Sequence, residues 1–117
     1  IVNSNDGLDE ISPYDKTIVK QLRNGEINEI IIDPKELNVN AEGFDKIVGN
    51  DAKFNSEKII DIFKGNDDDF SKAVSLNAAA GLIISEREDN FKHAYEKARD
   101  HLLSGKTYLH LENLRNA

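Results

Sequence analysis

The hexapeptide Gly7-Leu8-Asp9-Glu10-Ile11-Ser12 carries two adjacent carboxylates, directly behind a flexible Asn5-Asp6-Gly7 turn. The apolar pair Ile1-Val2 before this turn is typical of the last residues of a β-strand. Ligands of open α/β sheets bind at the carboxyl ends of strands, and Mg²⁺ in proteins is often held by one or two carboxylates together with substrate phosphates. Asp9 and Glu10 are therefore candidate ligands of a hard cation, although neighbouring acids in a loop are more often simply solvated.

The residues after this loop predict a β-hairpin. Thr17-Ile18-Val19-Lys20-Gln21-Leu22 mixes β-branched and apolar residues, as strands do, and Asn24-Gly25 is a strong hairpin-turn signal. The returning strand runs over residues 27–32, and Pro34 ends it because proline lacks the N–H that a sheet ladder requires. Since Ile30-Ile31-Ile32 is apolar on both faces of the strand, we expect it to be well buried.

Residues 35–53 are less regular and are expected to form a loop and a short helix, with a turn at Gly49-Asn50-Asp51. Beyond them the apolar spacing changes to the helical period. Asn55 or Ser56 is suited to cap the first long helix, because either side chain can accept a hydrogen bond from an unpaired backbone N–H. Gly65 is expected to end that helix.

The next helix, over about residues 70–85, has little polar surface, which is typical of a buried helix. The acidic run Asn66-Asp67-Asp68-Asp69 precedes it, where the helix dipole favours negative charge, and the run lacks the spacing of a calcium-binding loop. Small side chains at Asn77-Ala78-Ala79-Ala80-Gly81 indicate that a neighbouring backbone comes close. Asn77 is a candidate site residue, but a hydrogen-bonded structural role is the more common one for such an asparagine.

Two more helices are expected at the end of the chain. Ser85-Glu86-Arg87-Glu88 fits a capping box, and the helix after it has an amphipathic stripe. The stripe comprises Phe91, Ala94, Tyr95, Ala98 and Leu102. His93 and His101 fall on its polar side, too far apart to share a metal ion, so both are interpreted as solvated. Ser104-Gly105 ends this helix, and a short apolar-faced helix follows.

The composition narrows the classes of function. The 117 residues hold 22 acidic and 15 basic side chains, a formal net charge of −7, which opposes binding to nucleic acid and to anionic membranes because both need basic surface. No apolar run approaches the roughly 20 residues that span a bilayer, and no signal-peptide pattern is present. The absence of cysteine excludes disulfides, thiolate zinc sites and cysteine nucleophiles, and it favours a cytoplasmic protein.

The first residues of the chain indicate a portion of a longer protein. The chain opens at Ile1-Val2, inside an expected strand, and contains no methionine. A processed mature terminus is the less favoured explanation. At this length the chain holds one domain at most.

Several segments resemble the C-terminal part of the anthranilate phosphoribosyltransferase family, in the same order along the chain. Gly7-Leu8-Asp9-Glu10-Ile11-Ser12 resembles the acidic metal-binding motif of that family. The other segments are Leu22 to Ile27, Pro34-Lys35-Glu36-Leu37, Gly49-Asn50-Asp51-Ala52 with Asn55, Asn77-Ala78-Ala79-Ala80, and Ser104-Gly105-Lys106. Each is short, but their joint order and spacing are specific and cover nearly the whole chain. Asn50 departs from the pattern, because the family commonly has a second glycine there.

The resemblance implies an α/β fold, namely the C-terminal part of a mixed-sheet phosphoribosyltransferase domain, here a β-hairpin packed on three or four helices. It also implies transfer of phosphoribose from phosphoribosyl pyrophosphate to anthranilate with release of pyrophosphate, the second step of tryptophan biosynthesis. Asp9 and Glu10 match the acidic pair of the family and would hold Mg²⁺ at the rim of the active site, where the ion stabilises the departing pyrophosphate.

The same resemblance places other parts of the enzyme outside residues 1–117. The Gly-rich phosphate loop, the residues that contact anthranilate and the N-terminal helical region that forms a homodimer would all precede Ile1. No catalytic or cofactor-binding residue is therefore assigned here beyond the metal pair Asp9 and Glu10, and the 117 residues alone are expected to be inactive.

Three other interpretations stay open. A pyrimidine nucleoside phosphorylase would share the architecture, and a non-catalytic relative that binds nucleic acid would use the same scaffold with a basic groove. The third is a helical interaction domain in which Asp9 and Glu10 are only solvated. A Gly-rich phosphate loop elsewhere in the protein favours the transferase, whereas a Lys/Arg cluster in its place favours the nucleic-acid binder.

Overall fold

A three-stranded antiparallel sheet forms the first part of the molecule. The computed structural model describes residues 1–117 and contains the strands β1 (Val2–Ser4), β2 (Thr17–Arg23) and β3 (Glu26–Ile32), in the order β1-β2-β3. β2 and β3 are paired along their whole length, with Thr17 opposite Ile32 at one end. The expected hairpin and the strand at Val2 are both confirmed.

Asn24 and Gly25 set the turn of the hairpin. Their φ angles are 53° and 82°, and positive φ at both central residues is the type I′ geometry that matches the twist of the flanking strands. The expected burial of Ile30-Ile31-Ile32 is wrong for its first two residues, because Ile30 and Ile31 are exposed and only Ile32 is buried. β3 lies at an edge of the sheet, so part of its apolar surface meets no neighbour within this chain.

A short 3-10 helix and four α-helices follow the sheet. They are the 3-10 helix Phe44–Ile47, α1 (Ala52–Phe63), α2 (Asp69–Ile84), α3 (Phe91–Leu103) and α4 (Lys106–Arg115). This arrangement confirms the expected α/β fold of a hairpin with three or four helices. None of these helices has the length and apolar character needed to cross a bilayer.

The expected cap of α1 is wrong in position. Asp51 is the capping residue, because its side chain accepts a hydrogen bond from the N–H of Phe54 at 2.8 Å. Asn55 and Ser56 lie inside the helix. The side chain of Asn55 turns back instead and accepts from the N–H of Asn50 at 2.9 Å, which closes the turn before the helix.

The expected capping box at Ser85 is also wrong. Ser85 ends α2, and α3 is capped by Asn90, whose side chain accepts from the N–H of His93 at 3.1 Å. A capping box does occur, at the start of α2, where the Asp68 carboxylate accepts from the N–H of Ser71 and the Ser71 hydroxyl accepts from the N–H of Asp68. The acidic run before α2 therefore supplies the residue that caps the N-terminus of that helix.

The core lies where the sheet and the loop of residues 5–16, which we call the acidic loop, meet α2 and α3. Its buried apolar residues are Ile11, Ile32, Val39, Leu76, Ala79, Ala94 and Tyr95. The amphipathic stripe of α3 is confirmed by the burial of Ala94, Tyr95 and Leu102. α2 is less buried than expected, since Val74 and Ile84 are exposed while Leu76 and Ala79 are fully enclosed.

Candidate functional site

The acidic pair lies in the loop of residues 5–16 that joins β1 to β2. Asp9 and Glu10 are exposed, and neither side chain takes part in a hydrogen bond or an ion pair with the rest of the chain. The next two residues are deeply buried, with Ile11 at 1% and Ser12 at 0% exposure. The loop thus presents two unengaged carboxylates to solvent from a backbone that is anchored directly behind them.

A contact between Asp6 and Ser12 closes the base of this loop. The Ser12 hydroxyl donates to the Asp6 carboxylate and accepts from the N–H of Tyr14 at 3.0 Å, while the second Asp6 oxygen accepts from the N–H of Leu8 at 3.2 Å. Burial acts to raise the pKa of Asp6, but hydrogen bonds from Ser12, Ser4 and the Leu8 N–H lower it below its ordinary value. The ionised Asp6 carboxylate therefore has a structural role within the loop.

Asn77, in the middle of α2, forms hydrogen bonds with the backbone of the residue that follows the acidic pair. Its Oδ1 accepts from the N–H of Ile11 at 3.0 Å, and its Nδ2 donates to the carbonyl oxygens of Ile11 at 3.0 Å and Ala73 at 2.9 Å. The structural interpretation of Asn77 is confirmed, because all three contacts go to the backbone of this chain. Because Ile11 directly follows Glu10, Asn77 contacts the backbone next to the acidic pair.

Asp69 joins the end of the acidic loop to two other segments. Its buried carboxylate accepts from Lys72 Nζ at 2.8 Å, from the Tyr14 hydroxyl at 3.1 Å, and from the N–H groups of Glu42 at 2.7 Å and Gly43 at 3.3 Å. Burial acts to raise the pKa of Asp69, but these four hydrogen bonds hold it below its ordinary value. Burial and the hydrogen bond to Asp69 raise the pKa of Tyr14.

The other acidic and histidine candidates are engaged elsewhere or solvated. Asp67 pairs with Arg99 at 2.7 Å, and Asp68 caps α2 and contacts Lys58 at 3.3 Å. His93 and His101 are exposed, as the helical spacing predicts. Within the loop of residues 5–16, Asp6 binds Ser12 and Asp15 accepts from the N–H of Lys16 at 2.7 Å, which leaves Asp9 and Glu10 as the acids without a hydrogen-bond partner.

The donor set of this pair suits Mg²⁺. Carboxylate oxygens are the hard ligands that Mg²⁺ prefers, and such sites commonly combine one or two carboxylates with waters and substrate phosphates. The chain contains no group of three or more Asp, Glu, His or Cys side chains able to hold a metal ion. Asp9 and Glu10 can thus supply one side of a magnesium site that a phosphorylated substrate and water would complete.

A model of the glycosyl transferase family, α/β domain, matches residues 1–108. Among curated proteins, the anthranilate phosphoribosyltransferase of Pelagibacter ubique (strain HTCC1062) is 61% identical over 116 residues, which is 99% of this chain and 35% of that protein. The chain therefore spans about a third of the length of the curated relatives it matches.

Two solved structures have the same fold. Anthranilate phosphoribosyltransferase from Thermus thermophilus is similar with a TM-score of 0.84 and 25% identity, over 96% of this chain and 33% of its own. The Ser121Ala variant of the enzyme from Saccharomyces cerevisiae, solved with Mg bound, is similar with a TM-score of 0.82 and 23% identity over the same shares. At that identity the second likeness is one of fold alone.

Proposed function

This chain belongs to the glycosyl transferase family, as part of its α/β domain, and from that membership we propose that the complete protein is an anthranilate phosphoribosyltransferase. It transfers phosphoribose from phosphoribosyl pyrophosphate to the amine of anthranilate and releases pyrophosphate, a step of tryptophan biosynthesis. The observation that carries this proposal is the 61% identity to the Pelagibacter protein over 99% of this chain. Since the chain spans 35% of that relative, the activity is assigned to the complete protein.

Asp9 and Glu10 are the residues proposed to hold Mg²⁺. They are adjacent, exposed and unengaged, and carboxylate oxygens suit this ion. When bound, the ion supplies Lewis-acid stabilisation of the negative charge on the departing pyrophosphate. The choice of ion rests on the donor set of this chain and on the family resemblance of its acidic motif.

The surrounding residues act by orienting the acidic pair. Asp6 and Ser12 close the base of the loop, and Asn77 fixes the backbone directly after Glu10. Neither Asp9 nor Glu10 needs to remove a proton, because the amine of anthranilate is already a nucleophile. The contribution of this chain to the reaction is therefore to position the leaving group.

Three further assignments belong to the same proposal. Residues 1–117 form the C-terminal portion of the catalytic domain, the complete protein is a homodimer through an N-terminal helical region, and it works in the cytoplasm. The first is supported by the family match and the share of the relatives covered. The dimer rests on the resemblance, and the compartment on the absence of cysteine. Light scattering of the complete protein, with a monomer as the contradicting result, tests the dimer.

Loss of anthranilate fluorescence tests the activity. We expect the complete protein to consume anthranilate only when phosphoribosyl pyrophosphate and Mg²⁺ are both present, and omission of either is the control. Phosphorolysis of pyrimidine nucleosides without consumption of anthranilate would identify a phosphorylase instead. Binding of nucleic acid with no turnover of either substrate would identify a non-catalytic relative.

A further inference from the structure

Asn77 forms hydrogen bonds with both backbone polar groups of Ile11. Its Oδ1 accepts from the Ile11 N–H and its Nδ2 donates to the Ile11 carbonyl oxygen, each at 3.0 Å. The Ile11 N–H belongs to the peptide group that also contains the carbonyl of Glu10. Because a peptide group is planar, fixing this N–H fixes the orientation of the backbone on the C-terminal side of Glu10.

The orientation of the Asn77 amide is itself determined. Nδ2 also donates to the carbonyl oxygen of Ala73, one helical turn earlier, at 2.9 Å. An amide turned by 180° would place its oxygen against two carbonyl oxygens, which are acceptors only, and its N–H groups against the Ile11 N–H. A single amide orientation therefore satisfies all three contacts, and α2 holds it rigidly.

The side chain of Ile11 provides a second anchor at the same place. Ile11 is 1% exposed and packs in the core with Leu76 and Ala79 of α2. The side-chain packing fixes where Ile11 lies, whereas the contacts with Asn77 fix how its two peptide groups are turned. Of the two, only the contacts with Asn77 set the direction of the backbone from Ile11 back to Glu10.

We infer that Asn77 is a positioning residue for the acidic pair, acting through the backbone of Ile11. This inference rests on the proposed magnesium role of Asp9 and Glu10. Asn77 touches neither substrate nor metal in this account. Its role is to keep Glu10, and with it the adjacent Asp9, in the geometry that Mg²⁺ requires, because this ion tolerates little departure from octahedral coordination.

The test compares Asn77→Ala with a matched control on the same helix. Ser75 lies two residues before Asn77 in α2 and is buried, and its hydroxyl donates to the carbonyl oxygen of Ser71 within the helix, at 2.7 Å. Ser75→Ala therefore removes a buried side-chain hydrogen bond whose two partners both lie in α2. Asn77→Asp is the second variant, since it keeps the acceptor for the Ile11 N–H and loses both donors.

Two readouts separate positioning from general damage to the fold. In the complete protein, we expect Asn77→Ala to raise the Mg²⁺ concentration for half-maximal rate by about tenfold, the lower end of the effect of groups that orient metal ligands. Amide hydrogen exchange at Ile11 should become faster in the same variant. Ser75→Ala should change neither quantity. Asn77→Asp should raise the Mg²⁺ requirement at least as much as Asn77→Ala, because it places a carboxylate oxygen against the carbonyl oxygens of Ile11 and Ala73.

Glu10→Gln is measured alongside so that a failure of this inference can be distinguished from a failure of the proposed function. If Glu10→Gln raises the Mg²⁺ requirement and Asn77→Ala matches Ser75→Ala, the positioning role of Asn77 is wrong and the metal pair stands. If Glu10→Gln leaves the Mg²⁺ requirement unchanged, the metal role of Glu10 is wrong and the inference falls with it. Should Asn77→Ala not fold, an Asn77→Asp protein with an unchanged Mg²⁺ requirement would overturn the inference.

Discussion

Asp9 and Glu10 differ from the other acids around them in having no partner. Asp6 holds Ser12 across the base of the loop, and Asp69 holds Tyr14 at its end. Even paired acids on a protein surface add little stability, so two unpaired neighbours add less still. Their place on a loop that is anchored directly behind them supports the proposed role in binding Mg²⁺.

Replacing either carboxylate by its amide removes a hard ligand and one charge while keeping the size of the side chain. We expect Asp9→Asn and Glu10→Gln in the complete protein each to lower turnover and to raise the Mg²⁺ concentration for half-maximal rate by about tenfold or more, since metal-ion stabilisation of developing charge is worth several kcal/mol. Steady-state rates measured across a Mg²⁺ titration give both quantities.

The control for these variants is Asp15→Asn, which removes a charge from an exposed acid of the same loop. It should leave the Mg²⁺ requirement unchanged. Kinetics that depend on Mg²⁺ in the same way in the wild type, Asp9→Asn and Glu10→Gln would rule out the metal assignment.

Asp69 is expected to control stability at acid pH. Its pKa is held below the ordinary 3.8 by hydrogen bonds that outweigh burial, so the folded state favours the charged carboxylate more than the unfolded state does. The resulting stability is fully present above about pH 4 to 5 and is lost as the pH falls through the folded pKa. Asp69→Asn should therefore destabilise the protein by about 3 kcal/mol at pH 7, as breaking a buried ion pair does.

Urea unfolding of the wild type and Asp69→Asn at pH 7 and pH 3 tests this expectation. The difference between the two proteins should shrink at pH 3, because Asp69 of the unfolded wild type is then largely protonated, whereas the folded state favours its charged form. Asp61→Asn changes an exposed acid and serves as the control. An equal difference at both pH values would show that the charge of Asp69 does not stabilise the fold.

At the residue scale the sequence predicted the candidate ligands but not the residues that support them. Asp9 and Glu10 follow a strand and a turn, which alone is a weak signal, and they were candidates chiefly because the hexapeptide of residues 7–12 resembles the acidic motif of the family. The contacts of Asn77 with Ile11 and of Asp69 with Tyr14 join residues 66 and 55 positions apart. Such partners depend on how α2 packs against the loop, which no local pattern reports.

Local turn chemistry made the sheet more predictable than the helix starts. Asn24-Gly25 specified the hairpin because few other dipeptides adopt positive φ at both positions. The cap of α1 was misplaced because Asp51, Asn55 and Ser56 are all good capping residues within a short stretch. Which of them caps the helix depends on where the preceding turn ends.

Gly65 is expected to be irreplaceable at the junction of α1 and α3. Its φ is +101°, and a Cβ there would lie 2.5 Å from the carbonyl oxygen of Leu103. Gly65→Ala should lose about 1–2 kcal/mol from the left-handed backbone and a further 1–3 kcal/mol, roughly, from the clash. The free energy of unfolding in urea measures the sum.

Gly25→Ala isolates the backbone part of that loss. Gly25 has φ of +82° with nothing within 4 Å of an added Cβ, so only the conformational cost should appear. Equal destabilisation by the two substitutions would mean that α1 and α3 separate without cost, contrary to the packing described here.

At the scale of the whole molecule, burial was the least predictable property. Ile30 and Ile31 have the composition of a buried strand, yet they are 43% and 56% exposed. The exposed faces of β3 and of α2 carry apolar residues that strand and helix patterns alone assign to a core. The apolar sequence pattern predicts which residues favour burial, whereas their actual burial depends on which other elements pack against them.

Residues 1–117 alone are expected to show no turnover. The chain supplies the acidic pair but no Gly-rich loop of the kind that cradles phosphate with backbone N–H groups. The fluorescence assay applied to equal molar amounts of residues 1–117 and the complete protein tests this expectation. Consumption of anthranilate by residues 1–117 would show that the chain holds a complete active site.

Calorimetry of phosphoribosyl pyrophosphate binding to the complete protein, with and without Mg²⁺, is the decisive test of whether Asp9 and Glu10 bind the ion. If Asp9 and Glu10 hold the ion that contacts this substrate, Mg²⁺ should strengthen binding to the wild type, and by linkage the gain measures the coupling between ion and substrate. We expect this gain in affinity to disappear in a protein carrying both Asp9→Asn and Glu10→Gln. A gain of undiminished size in that variant would contradict this expectation.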